Sequence, residues 1–167
     1  MAQSNDSKSL LDITTIKEKL PNARVALVST EWNEAIVAEQ IRGCKRILDQ
    51  CQATIVQHTV VPGSFEIPFA CKRIGTTAHK HSNQIPEAII AFGAVIRGGT
   101  PHFDYVCQAV TEGILRLNLS LPIPVIFGVL TLDNEQQAWD RLGGAHGHKG
   151  EEAAISALKM IGLCRSL

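Results

Sequence analysis

The chain has 167 residues, enough to bury one sizeable core, and its 16 Lys+Arg balance 16 Asp+Glu, so it carries no net charge when its histidines are neutral. That balance argues against nucleic-acid and membrane-surface binding, which both need a basic excess. Residues AVILMFWYC reach 45% while aromatics are only 5%, the aliphatic composition of a parallel sheet covered by helices.

Residues 1–20 are polar without strong periodicity and are expected to form an arm, leaving 21–167 as a single domain. The start MAQSNDSKSLLD lacks the apolar segment of a signal peptide, and no apolar run approaches the ~20 residues of a membrane span, so a cytoplasmic protein is expected. Residues 23–28, apolar apart from Arg24, predict a buried strand. Asn33 is placed to cap the next helix. There Val37, Ile41, Cys44, Leu48 and Cys51 recur at spacings of four, three, four and three, which is one helical face. A second strand is predicted over 54–60, a helix over 65–74 and a polar surface loop over 76–84. The third strand covers 88–96, Phe103 to Leu117 mark a helix, and 125–130 is the fourth strand. Helices over 134–142 and 151–163 flank a Gly-rich turn at 143–150. The alternation predicts an α/β fold with βαβ units, a four-stranded parallel sheet and helices on both faces. The five cysteines (Cys44, Cys51, Cys71, Cys107 and Cys164) have no CxxC spacing and read as small buried hydrophobes rather than a disulfide framework.

In such sheets ligands bind outside the carboxyl ends of the strands, so the residues just past each strand are the ones to read. Gly98-Gly99-Thr100-Pro101-His102 follows the third strand, with Thr100 at the expected N-cap and Pro101 at the first helical position. Free amides and the positive dipole end of a helix make an anion site, and two glycines let a ligand come close. An ordinary tight turn explains the same residues equally well. His102, one residue inside the helix, suits a general base or proton shuttle. Gly63-Ser64-Phe65-Glu66 again joins strand to helix, and Glu66 is placed either to hold polyol hydroxyls or merely to favour the helix N-terminus. Trp32 lies in a polar context where an indole can stack on a planar heterocycle, with core filler as the alternative. Arg141 and Lys149 bracket the Gly-rich turn as phosphate ligand and supporting charge, or as solvated surface cations. His146-x-His148 and His79-x-His81 each resemble half a metal site but lack further ligands at a convincing spacing, so no metal is predicted. Neither GxGxxG nor GxxxxGK followed by Ser or Thr is present, nor GxSxG, which argues against dinucleotide, P-loop and serine-hydrolase chemistry.

Five stretches in order resemble the lumazine synthase family. They are Glu31-Trp32-Asn33, Val61-Pro62-Gly63-Ser64-Phe65-Glu66-Ile67-Pro68, the run from Gly93 through Arg97 and His102 to Val106, Pro124 to Thr131, and Glu135 to Arg141. The resemblance implies a flavodoxin-like three-layer sandwich. It implies condensation of 5-amino-6-(D-ribitylamino)uracil with 3,4-dihydroxy-2-butanone 4-phosphate, without a cofactor. It further implies that Trp32 stacks on the pyrimidine, with Asn33 beside it, and that Ser64, Phe65 and Glu66 hold the ribityl chain. The backbone of Ala94, Val95 and Ile96 meets the pyrimidine, Gly99, Thr100 and Arg141 hold the phosphate, and His102 moves protons. Phe127 and Arg141 correspond to residues donated by the next subunit of a homopentamer; a sixty-subunit shell and an association with riboflavin synthase are the larger assemblies implied. Many relatives have Ala at the position of Gly99, Thr at that of Pro101 and Lys at that of Ala145, so the positive field near the phosphate is weaker here, with His146 or His148 as the expected partial offset. A flavin or lumazine carrier on the same scaffold would need neither His102 nor Arg141, and a cage protein would need only the assembly.

Overall fold

β1 (Arg24–Thr30) is followed by α1 (Glu34–Gln50), β2 (Thr54–Val61), a 3-10 turn (Ser64–Glu66) running into α2 (Ile67–Thr76), β3 (Ala88–Ile96), α3 (His102–Ser120) and β4 (Val125–Leu132). A short α4 (Gln136–Asp140), a hairpin of β5 (Leu142–Gly144) and β6 (Gly147–His148), and α5 (Lys149–Ser166) complete the order. These elements belong to a computed structural model that describes residues 13–14, 20, 22–77 and 84–167. His79, His81, most of the 76–84 loop and most of the expected arm lie outside the described residues.

The four long strands pair in the order β2-β1-β3-β4, all parallel. Side chains alternate across the sheet, so each strand feeds two cores. Val25, Leu27, Ile90 and Phe92 pack beneath α1 and α5, with Val37, Cys44, Leu48, Ala154 and Leu158. Ala26, Val28, Ile89 and Ala91 pack on the other face beneath α2 and α3, with Ile67, Cys71, Val110 and Ile114. This is a flavodoxin-like three-layer sandwich. A third cluster of Ile36, Ala94, Leu130, Leu132, Ala138 and Leu142 seals the sheet under α4 and the hairpin, near the carboxyl ends of the strands. Leu20 is buried in the core beneath α1 and α5. Among the described residues no helix is long and apolar enough to cross a membrane.

Several expected boundaries move. α3 begins at His102 with Pro101 in the cap position, so Thr100 stands before the cap rather than in it. α4 covers only Gln136–Asp140, because the Gly-rich turn folds as a hairpin instead of ending a longer helix. Gly143 (φ 108°) and Gly147 (φ 75°) supply the left-handed backbone that this hairpin requires. His148 at its end is not a surface charge: it is buried, and its Nε2 lies 3.1 Å from Glu39 Oε1. Burial lowers its pKa below the ordinary histidine value, which keeps it neutral near pH 7. A Cβ on Gly150 would stand 2.0 Å from the Gln40 carbonyl oxygen, so glycine is what lets α5 lie directly on α1. Cys44, Cys51 and Cys71 are core residues, and burial pushes the Cys44 and Cys71 thiols up to about 12. Cys164 is exposed rather than buried.

At the opposite edge of the sheet Glu87 clamps three elements. It accepts from the Arg24 amide at 3.0 Å and from Arg165 Nε and Nη2 at 2.8 and 2.9 Å. Burial alone would raise its pKa, but Arg165 and Arg24 hold the carboxyl below its ordinary range. The charged form is therefore favoured by folding. Its contribution is present above the ordinary carboxylate pKa and is lost as pH falls through the lower folded value. Glu87→Gln is expected to cost about 1 kcal/mol at neutral pH. Urea midpoints followed from about pH 7 to about pH 3 should show the gap to the parent closing on the acid side.

Candidate active site

Because the four strands run parallel, they all end at one edge, and β1 connects to β2 on one side of it while β3 lies on the other. A crevice is expected at that switch point. The chain after β1 crosses it. The Glu31 amide donates to the Val61 carbonyl at 2.9 Å and the Trp32 amide to Pro62 at 3.4 Å, which lays this turn along the end of β2. Trp32 is 71% exposed, which excludes a core-filling role in the single chain. Asn33 departs from its expected use. It adopts left-handed φ 59°, ψ 44° at the N-cap, and its side chain makes no cap bond. Instead Nδ2 donates to the Ala94 carbonyl at 2.8 Å, tying the turn after β1 to the end of β3. Asn tolerates this backbone region better than most residues.

After β2 the residues read as ribityl ligands are partly engaged within the chain. Ser64 is buried, and a Cβ at Gly93 would stand 2.7 Å from its Oγ. Glycine at 93 on β3 thus admits the Ser64 side chain. Glu66 Oε2 accepts from the Gly63 amide at 3.0 Å, so one carboxylate oxygen caps the 3-10 turn. Phe65 is 62% exposed.

After β3 the pattern reverses. Ala94 is buried, while Val95 and Ile96 are half-buried, and their backbone lies between the turn after β1 and the end of β4. Gly98, Gly99, Thr100 and His102 are all exposed. An added Cβ at Gly98 or Gly99 meets nothing within 4 Å, and neither glycine has positive φ. The chain's own packing does not require glycine there. The amides of His102 and Phe103 precede the first bond of α3, in which the Asp104 amide donates to Pro101 at 3.0 Å. Arg97, exposed just past the end of β3, is held by Asp133, Asp104 and the Phe103 ring.

Phe127 and Arg141 are not brought to this turn through strand-end positions. Phe127 pairs with Ala91, three residues before Ala94, and is 42% exposed on the edge strand β4. Arg141 follows α4, half-buried at the base of the hairpin. Lys149 is already engaged, its Nζ 2.6 Å from Glu152 Oε2. His148, buried against Glu39, cannot reinforce a phosphate field, whereas His146 is exposed.

The sequence profile of 6,7-dimethyl-8-ribityllumazine synthase matches residues 22–165. A protein of that name from Parabacteroides distasonis is 40% identical over 163 residues, covering 96% of this chain and 98% of its own. Its counterpart from Porphyromonas gingivalis is 46% identical over 146 residues, 85% of this chain and 86% of its own. The one from Flavobacterium johnsoniae is 44% identical over 165 residues, 96% of this chain and 82% of its own. The ordered strand-end residues and a match over nearly the whole length lead to one statement: the chain belongs to the 6,7-dimethyl-8-ribityllumazine synthase family.

Proposed function

We propose that the carboxyl edge of the sheet condenses 5-amino-6-(D-ribitylamino)uracil with 3,4-dihydroxy-2-butanone 4-phosphate to 6,7-dimethyl-8-ribityllumazine, releasing phosphate and water. The observation that carries this reading is the turn before α3, where Gly98 and Gly99 leave unoccupied room beside the open amides of a helix N-terminus. Such an end binds anions through its amides and dipole. In this reading Trp32 stacks on the pyrimidine. The backbone of Ala94, Val95 and Ile96 meets its edge, and Phe65 and the free oxygen of Glu66 line the ribityl chain. Asn33 and Ser64 act mainly by setting these neighbours.

The chemistry asks for positioning and proton transfer rather than a nucleophile. The 5-amino group of the pyrimidine adds to the ketone, and loss of water gives an imine. His102 takes a proton from the carbon beside it, and phosphate leaves with the electron pair of its C–O bond. Gly99, Thr100 and Arg141 receive that charge. The resulting enol becomes a ketone, the ribityl-bearing nitrogen closes the ring, and a second water departs. Holding two substrates in register is worth up to ~7–11 kcal/mol in favourable systems.

We also propose that each site is completed by the next copy in a homopentamer, which supplies Phe127 and Arg141. Supporting this, Phe127 stands on an open edge strand, about 10 Å back from Ala94 in strand rise. The short hairpin without an insertion suits a sixty-subunit shell, in which riboflavin synthase can be enclosed, in the cytoplasm. Residues 21–167 are the proposed domain and 1–20 its arm.

Lumazine fluorescence during incubation with both substrates tests the activity directly; no turnover above the uncatalysed rate refutes it. Arg141→Ala removes a charged hydrogen-bonding group, so the KM for the butanone phosphate should rise about 10- to 100-fold with little change for the pyrimidine. Equal losses for both substrates would count against the phosphate role. His102→Ala should lower kcat on the order of 10²-fold with both affinities retained. Mixed assemblies of the two variants should regain activity if the site is shared between copies. Gly99→Ala meets open space within the chain and no φ strain, so it should stabilise the fold by about 0.4–1 kcal/mol through the unfolded chain, measured by thermal unfolding.

A further inference from the structure

Arg97 sits between the end of β3 and Gly98, and no role has been given to it so far. Its amide donates to the Leu132 carbonyl at 2.8 Å, which carries the β3–β4 ladder one residue past the strand. Its side chain then crosses the strand ends. Nε donates to Asp133 Oδ1 at 3.1 Å, Nη1 lies 3.2 Å from Asp104 Oδ1, and Cζ stands 4.1 Å from the centre of the Phe103 ring. One guanidinium thus joins the end of β4 to the first turn of α3, across the base of the turn that contains Gly99 and Thr100.

The charges give this arrangement a purpose. Asp104 and Asp133 flank a turn read as an anion site, and a carboxylate beside an anion opposes its binding. Asp104 at a helix N-terminus also competes with the anion for the same dipole. Arg97 is the cation that contacts both carboxylates. Single exposed ion pairs contribute little, but here one planar fork meets two acceptors and a ring, a geometry suited to Arg and not to Lys. Phe103 adjoins His102, so the same contact also bears on the first turn that carries the proton shuttle.

Resting on the proposed function, we propose that Arg97 is a positioning residue for the phosphate: it neutralises Asp104 and Asp133 and pins the 98–102 turn, without binding the phosphate itself. Two readouts on the assembled protein test this: the KM for each substrate, and calorimetric titration with inorganic phosphate, which needs no turnover. Arg97→Met keeps a long unbranched side chain at this place and removes the charge. It should raise the KM for the butanone phosphate and weaken inorganic phosphate binding by about tenfold, leaving the pyrimidine KM within about twofold. Adding Asp104→Asn and Asp133→Asn removes the opposing charges, and both values should return to within about threefold of the parent. If the triple variant stays as weak as Arg97→Met, neutralising the two carboxylates is not what Arg97 contributes and the proposal is wrong. An equal rise for both substrates, or no change in any variant, also overturns it. Should Arg97→Met not assemble, Asp133→Asn alone carries the test, because its amide oxygen still accepts from Nε while one negative charge is gone. Phosphate should then bind at least about twofold tighter, and unchanged or weaker binding overturns the proposal. If the parent binds phosphate but makes no lumazine, the function fails while the binding comparison still decides the role of Arg97.

Discussion

β3 is the strand on which the rest of the structure depends. It lies between β1 and β4, and Ala88 to Ala94 are all buried, since helices cover both faces. Its backbone pairs with β1 from Ala88 to Phe92 and with β4 from Ile89 to Ile96, and Asn33 Nδ2 bonds the Ala94 carbonyl where the β1 pairing has stopped, so its end cannot shift without disturbing its neighbours. Ala94, Val95 and Ile96 are therefore delivered to the edge as a rigid backbone platform. Close packing constrains its neighbours in turn. Gly93 is bare because Ser64 fills the place of its side chain, and Gly128 is bare because a Cβ would press on the Phe92 ring at 2.8 Å. Interiors at native density have no slack for such an atom.

The polar residues at the strand ends then divide by where their hydrogen bonds go. Asn33, Glu66 and Arg97 bond within the chain, to Ala94, Gly63 and the two aspartates respectively. Asn33 and Arg97 hold one element to another, while Glu66 fixes its own turn. Trp32, Thr100 and His102 are exposed, and no side-chain hydrogen bond of theirs appears among the described residues. A preorganised site needs both kinds: groups that act, and groups that are already satisfied and so keep the first kind in place. Glu66 belongs to both, with one oxygen capping a turn and the other open.

The strands were legible because both faces of a parallel sheet are covered, which leaves unbroken aliphatic runs such as residues 88–96, found with the expected bounds. The helical face from Val37 to Cys51 was legible for the same reason of burial. What local pattern could not show was any contact spanning the chain. Asn33 looks like a helix cap, yet its partner Ala94 is 61 residues away. His148 reads as half of a metal pair or as a charge near the phosphate, yet it meets Glu39 over a separation of 109. The hairpin at 142–148 was missed because its glycines carry no alternation of apolar and polar residues. The contacts of Arg97 were not legible either, because Asp133 and Phe103 lie on elements that only folding brings to one place.

The same distinction bears on Phe127 and Arg141. Order along the chain puts Phe127 in β4 and Arg141 after α4, and by order alone each belongs to the nearest strand end. Register removes that freedom for Phe127: opposite Ala91, it lies well back from the edge that carries Trp32, Gly99 and His102. Its 42% exposure on an edge strand leaves aromatic surface that its own chain does not cover. Phe127 is one of several large apolar side chains that the single chain leaves exposed, with Phe69, Tyr105 and Leu119. A second copy that brings its strand-end crevice against β4 would bury Phe127 and acquire an aromatic wall in one step. Under the proposed reading, assembly and catalysis then draw on the same surface, and a change that loosens the interface should be felt in the affinity for substrate before it is felt in the stability of the fold.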